Sequence, residues 1–374
     1  MAKPLFAKCK RFFPDLPEHV FRNLLLVCAA IVLARSTNRP AARLNVLKDY
    51  LPQLLDNDHT KEDSHYKRLI RFFRLTTPNQ LIICILQFVF RLFDSRFTYL
   101  ILDATTWRVG KKPIHLLTLC MLYRDTAIPI YWIPLNKKGH SSEVERQELM
   151  TGALRYYRLK GKILLADREY VGQKWLRYLC LQGVDFVIRL SAGCYRLPIG
   201  AAPGPAYSKL VRQAHHRKRG VIKGFVLKGC SLSIVMLKNP KTDPEEPILY
   251  FISSLIHKVK ITEAYRRRWR IETCFKHLKT QGFNIEDLNF KDDGKIMLLI
   301  AIVVMAYVLS LREAFENGSL KQKVYRDGRS SMAISFFRQG ISCLRSHVQS
   351  LVGFTRYLES IAQTLITPKW VYVQ

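Results

Sequence analysis

Between Phe97 and Leu190 the hydrophobic period changes in a fixed order, and that order constrains the fold more than any other feature of the chain. The stretch from Phe97 to Trp107 is rich in β-branched, aromatic and aliphatic residues and predicts a central strand with one acid, Asp103, near its end. His115 to Tyr123 and Ala127 to Leu135 read as two more strands joined around Arg124-Asp125. Ser141 to Tyr157 predicts a helix, with Ser141 or Ser142 as its cap and Glu143 and Glu145 in its first turn. Lys162 to Asp167 is a fourth, buried strand that again ends on an acid. Gly172 to Leu181 is helical, and Asp185 to Leu190 is a fifth strand. An α/β domain follows, with Asp103 and Asp167 both at strand ends.

The second informative stretch is Tyr265 to Lys279, a run free of Pro and Gly that is crowded with cations and holds one carboxylate. At about 100° per residue, Tyr265, Arg268, Glu272 and Lys279 fall within an arc of roughly 60° on one helix face. Ile271, Phe275 and Leu278 form an adjoining apolar stripe that anchors such a helix to a core. Arg266, Arg270 and His277 are expected on a third, basic face.

Sixty Lys and Arg against 29 Asp and Glu give a formal charge of +31, spread over the whole chain. That excess calls for a polyanionic partner, and nucleic acid is the leading class because phosphate neutralisation drives binding irrespective of sequence. With 48% hydrophobic and 11% aromatic residues the chain has material for a core and is not a disordered basic tail. Its nine Cys never form a C-x2-C pair, which argues against structural zinc and for reduced thiols in a cytoplasmic setting. No apolar core of a signal peptide precedes Pro14. The apolar runs Leu24 to Ala34 and Ile296 to Leu311 fall short of the eighteen or so residues expected of a membrane span, so no membrane association is expected and the second run reads as a helix buried in a domain.

Residues 1–95 read as a helical N-terminal DNA-binding region in which Lys67, Arg68, Arg71 and Arg74 share a helix with Leu69, Ile70, Phe72 and Phe73. Residues 96–190 form the first part of the α/β domain, and 191–252 break its rhythm. There Gly and Pro cluster from Gly193 to Pro205, His215 to Arg219 form a basic turn, and Val221 to Leu227 with Leu232 to Leu237 predict a hairpin about Lys228-Gly229. Ile248 to Ser253 is again a strand, Thr262 is placed to cap the next helix, and 253–318 complete the domain. Residues 319–374 read as a helical C-terminal region, with helices over Ser331 to Thr364.

The spacing Y-x2-R-x3-E-x6-K, met at Tyr265, Arg268, Glu272 and Lys279, resembles the signature helix of cut-and-paste DDE transposases of insertion-sequence family four. Asp167-Arg-Glu-Tyr170 is similar to the segment around that family's second Asp. The resemblance implies a ribonuclease H-like catalytic domain interrupted by a β-rich insertion between the second Asp and the Glu, with helical regions at either end. It implies Asp103, Asp167 and Glu272 as catalytic and metal-binding residues, holding two Mg2+ for which Mn2+ would substitute. Tyr265, Arg268 and Lys279 would hold DNA phosphates. Hard carboxylate oxygens suit such ions, which retain waters and take phosphate oxygens. Arg217, Lys218 and Arg219 in the insertion are expected to track DNA. The implied partners are double-stranded DNA at terminal inverted repeats and target DNA, with a dimer on paired ends and a nucleoid-associated location. One departure stands out. The family commonly stacks a Trp of the insertion on a flipped base, and no Trp lies between Trp175 and Trp269. The alternative is a transposase-derived protein that only binds DNA, and the intact acid trio favours the enzyme.

Overall fold

The computed structural model describes residues 10, 13–75, 78–93, 97–109, 112–137, 139–190, 212–214, 221–227, 229–239, 246–279, 281–287, 290–317, 322–324, 327, 330–332 and 334–364. They divide into two compact units, one of residues 96–106 and 114–274, the other of 1–95, 107–113 and 275–374.

The first unit is built on a sheet of eight strands in the order β3-β2-β1-β4-β5-β8-β7-β6. Its strands are β1 (Tyr99–Val109), β2 (Lys112–Tyr123), β3 (Thr126–Leu135), β4 (Ile163–Ala166), β5 (Asp185–Leu190), β6 (Val221–Leu227), β7 (Cys230–Lys238) and β8 (Ile248–Ser253). All five strands expected before Leu190 are present. β2 and β3 are antiparallel around Arg124 and Asp125, both at positive φ (43° and 61°), as a two-residue hairpin turn of the primed type requires. β4 runs parallel to both β1 and β5, and Leu100, Ile101 and Leu102 of β1 are fully buried beside it.

The helix Glu143–Tyr156 begins with a reciprocal capping box in which the Ser142 hydroxyl accepts from the Glu145 N–H and the Glu145 carboxylate accepts from the Ser142 N–H. Its Gly152 lies against Tyr131, where an added Cβ would stand 2.5 Å from the phenol oxygen, so only glycine lets this helix approach β3. The hairpin predicted about Lys228-Gly229 is formed, with Gly229 at φ 83°. It does not stand apart from the sheet: β7 pairs with β8, and β8 with β5, so the hairpin continues the same sheet outward.

Two expectations for residues 253–279 are corrected. The helix there starts at Lys258 with His257 as its cap, which places Thr262 inside the helix and not at its start. Nor is Tyr265 to Lys279 one regular α-helix. An α-helix ending at Arg266 passes through a 3-10 turn, Arg267–Trp269, into a second α-helix, Arg270–Leu278. The turn adds rotation at each of its residues and so shifts Arg268 and Glu272 in phase relative to Tyr265.

The second unit packs helices: α1 (Glu18–Ser36), α2 (Glu62–Leu75), α3 (Pro78–Arg91), α4 (Asp293–Asn317), α5 (Phe336–His347) and α6 (Leu351–Thr364). The predicted start of the C-terminal helices at Ser331 is corrected, because Ser330–Met332 pairs with Gln322–Val324 as a short antiparallel ladder. α5 begins only after Ser335, whose hydroxyl accepts from the Arg338 N–H. The two apolar runs are longer than their uncharged stretches suggested. α1 has 19 residues and α4 has 25, each long and apolar enough to cross a bilayer by length and composition. Both are buried within the unit over most of that length, 72% and 89%. α4 continues through Arg312, which donates to the Leu92 carbonyl at 2.8 Å, so the charge that ended the apolar run does not end the helix. Gly340 of α5 presses on α4, where a Cβ would lie 1.7 Å from the Ser310 carbonyl oxygen.

Candidate active site

The register of β1 and β4 places the two aspartates. Tyr99 pairs with Ile163 and each step follows to Leu102 beside Ala166, so the next residue on each chain is Asp103 and Asp167. The two acids thus lie side by side, one strand spacing apart, roughly 5 Å, but Asp103 is not near its strand's end as expected, because β1 runs on to Val109 while β4 stops at Ala166. The Asp103 carboxylate accepts from the Ala104 N–H at 2.9 Å and the Tyr170 hydroxyl at 3.4 Å. Asp167 accepts from the Arg168 N–H at 2.8 Å and from the Tyr265 hydroxyl at 3.2 Å.

Arg268, only 7% exposed, joins these acids to the third. Its guanidinium lies 3.5 Å from Asp103 and 3.1 Å from Glu272, one helical turn further on. Burial opposes its charge, but Tyr265 and all three carboxylates, Asp167, Asp103 and Glu272, act on it strongly enough to raise its pKa. Burial likewise pushes the Asp103 carboxyl up to about 6, against the influence of Arg268 and the Ala104 N–H and with help from the charges of Glu169 and Asp167. Tyr265 packs its ring 4.7 Å from Phe251, and burial together with Asp167 holds its phenol protonated well above the usual range. Beside this patch Trp269 is 58% exposed, with the Arg268 guanidinium 5.5 Å from its ring.

The segment after Asp167 is held by Arg146. This side chain is 5% exposed and donates to the carbonyls of Ser141 at 2.6 Å, Glu169 at 3.0 Å and Val171 at 3.2 Å, while its guanidinium lies 5.5 Å over the Tyr170 ring. It thereby sets Glu169, which pairs with His140, and Tyr170, which reaches Asp103. The sequence reading did not single out Arg146 or Tyr170. Arg146 stands three residues before Leu149 and seven before Ala153, on the buried stripe of its helix, and that spacing is the signal that could have found it.

Of the expected residues, Asp103, Asp167, Glu272, Tyr265 and Arg268 come together. The apolar stripe of Ile271, Phe275 and Leu278 is buried as expected. His277 is a correction: it stacks on Phe337 at 4.8 Å, and burial and the nearby Arg35 charge lower its pKa to about 4, so it does not belong to a solvated basic face. Arg270 is paired with Asp125. Lys279 lies in the helical unit, half-buried, where desolvation lowers its pKa and the Glu286 carboxylate acts the other way. Arg217, Lys218 and Arg219 lie outside the described residues.

The donor chemistry of Asp103, Asp167 and Glu272, oxygen only and three acids around one cation, fits a hard divalent ion. Among the described residues, no three His, Cys, Asp or Glu side chains stand close enough together to hold an ion as they are. The charge that gathers the three acids here is the Arg268 guanidinium.

The sequence model of a family described as transposase DDE domain matches residues 95–309, a span that contains all three acids. No curated protein matches the chain. Among solved structures, the piggyBac transposase synaptic complex with hairpin DNA is similar in fold, with a TM-score of 0.50 at 12% identity over 96% of this chain and 78% of that one.

Proposed function

Since the chain belongs to the transposase DDE domain family, whose match covers more than half its length, we propose that it is a DNA transposase of insertion-sequence family four that cuts and rejoins element ends. The observation that carries this reading is the pairing of Asp103 and Glu272 through Arg268, with Asp167 beside Asp103 on the neighbouring strand's end. Asp103 comes from within β1, Asp167 from just past the end of its parallel neighbour β4, and Glu272 from a helix that follows the last strand. The sheet order and this placement support a ribonuclease H-like domain, with residues 191–252 as an insertion whose hairpin extends the sheet.

In this reading the three carboxylates hold two Mg2+ or Mn2+. The ions would supply charge to the attacking and leaving oxygens at phosphorus. Burial keeps Asp103 in a setting of low dielectric where it binds a cation strongly once ionised. Tyr265 orients Asp167, Tyr170 orients Asp103, and Arg268 keeps Asp103 and Glu272 within reach of one another until substrate arrives. Arg268, Lys279 and the basic Arg217, Lys218 and Arg219 contact DNA phosphates. The DNA is duplex, at terminal inverted repeats and at the target, and a dimer forms on paired ends. A catalytically silent DNA-binding descendant would have no use for three acids kept together at the cost of burying Asp103.

The test is cleavage of end-labelled duplex that carries the DNA flanking the gene, with Mg2+ and with chelator, by the parent and by Asp103→Asn, Asp167→Asn and Glu272→Gln. Cleavage by the parent alone, with DNA binding retained in all four proteins, is the expected result. Cleavage by Asp167→Asn at the parental rate would remove Asp167 from the site.

A further inference from the structure

The helical unit contains a cavity of about 410 Å³ between α1, residues 55–60 and the stretch of α2 from Ser64 to Phe72. That volume lies in the range of small-ligand sites, about 300–1,000 Å³. Its wall carries His19, Arg68 and Arg71 and no Asp or Glu, while Val20 and Phe72, 8% and 4% exposed, contribute apolar surface. Arg68 is fixed by a hydrogen bond from its Nε to the Asn23 side-chain Oδ1 at 2.8 Å, which leaves the outer guanidinium nitrogens to meet an anion.

His65 supplies the second observation. It lines the cavity at 2% exposure, and its Nε2 is buried with no hydrogen-bond partner. A buried polar atom left unpaired is destabilising, so one retained in a cavity wall marks a place where a ligand atom belongs. The ring hydrogen-bonds to the Thr60 backbone, and burial and the Arg68 charge lower its pKa. A neutral imidazole whose other nitrogen donates offers Nε2 as an acceptor. The cavity thus asks for three things at once: negative charge for Arg68 and Arg71, a donor for His65, and an apolar surface to meet Val20 and Phe72.

We propose that the cavity binds one nucleotide, its phosphate on Arg68 and Arg71 and an amino or hydroxyl group on His65 Nε2. The inference rests on the DNA-acting reading for its preferred source, a nucleotide of a DNA strand that has left the stack. Free mononucleotide shares the same chemistry.

The experiment uses the full chain and its His65→Phe and Arg71→Gln variants. His65→Phe keeps a ring but offers no acceptor, and Arg71 is an exposed side chain whose replacement leaves the fold intact. Anisotropy compares a fluorescent blunt duplex with the same duplex carrying one unpaired adenosine nucleotide, and calorimetry measures deoxyadenosine monophosphate alone. The parent is expected to prefer the unpaired-nucleotide duplex, and each variant to lose about tenfold of that preference, with His65→Phe binding blunt duplex as before. If deoxyadenosine monophosphate binds the parent and not the variants, with no preference between duplexes, the cavity stands with free nucleotide as its source. If the variants keep the parental preference, or no probe distinguishes parent from variant, the proposal is overturned. Failure to bind any duplex while the mononucleotide still binds would count against the transposase reading and leave the cavity standing.

Discussion

The Arg268 guanidinium stands 3.5 Å from the Asp103 carboxylate and 3.1 Å from Glu272, so one cation of the 3-10 turn joins an acid of the sheet to an acid of the following helix. One guanidinium cannot balance Asp103, Asp167 and Glu272 together. The patch therefore keeps a local excess of negative charge in a chain of formal charge +31.

Arg268 and Lys279 should fail at different stages. Arg268→Ala removes a buried countercharge and should lower the first nick on the order of 100-fold. Arg268→Lys should not rescue it, because a point charge cannot span Asp103 and Glu272 as the planar fork does. Lys279→Ala should nick nearly as the parent does and stall before the second strand is cut. A time course on end-labelled DNA that resolves nicked from fully cleaved product separates the two. Parental conversion of nick to break by Lys279→Ala would count against a phosphate-holding role for that side chain.

Asp103 should leave its mark on stability against pH. Its carboxyl titrates near 6 in the folded chain and near 3.8 when unfolded, so the folded state binds the extra proton between those values. Ionisation of Asp103 then costs the fold roughly 3 kcal/mol above pH 6. The parent should lose that stability as pH rises from about 4 to 6, and Asp103→Asn should not. The variant's thermal midpoint relative to the parent should climb by several degrees between pH 4 and pH 7. A difference that stays flat over this window would mean that Asp103 ionises normally.

Arg146→Met should be costly despite similar length. It strands the carbonyls of Ser141, Glu169 and Val171 without a donor in a buried place, and about 2–4 kcal/mol of stability should go with them. Urea unfolding followed by Trp fluorescence measures the loss, since Trp175 lies fully buried in the same unit. In DNA cleavage, Arg146→Lys should act at the turnover step and leave DNA affinity near parental, because the turn it holds presents Asp167.

Gly340→Ala and Gly353→Ala form a matched pair on neighbouring helices. The first drives a methyl into the Ser310 carbonyl at 1.7 Å and should cost about 3 kcal/mol or more. The second meets nothing closer than 3.1 Å and should be near neutral, the contact offset by the better helix propensity of Ala. Equal thermal midpoints for the two variants would contradict the close packing of α5 on α4.

The strands up to Leu190 were legible because period and composition report burial residue by residue, whereas Asp103, Asp167 and Glu272 were singled out through the family resemblance. What escaped had causes outside such windows. The 3-10 turn at Arg267–Trp269 leaves no mark in a run without Pro or Gly, and the continuation of the sheet through β8 to the hairpin is a pairing between distant segments. His277 looked like one more surface cation, but its partner Phe337 lies sixty residues on. α4 looked too short to span a bilayer because Arg312 was counted as its end, and nothing local shows that the Leu92 carbonyl satisfies that charge.

The helical unit draws on both ends of the chain, with α1 to α3 made first and α4 to α6 only after the sheet. At ordinary rates of synthesis, about 5–20 residues per second, roughly ten to forty seconds separate α3 from the completion of α4. For that interval the faces of α1 and α3 that α4 will cover have no partner, although in the finished protein α1 is sealed from Leu24 to Ala34. The order of the genetic message thus imposes a waiting time on the newborn chain. Its yield should depend on what shields those two helices while the ribosome is still writing the sheet.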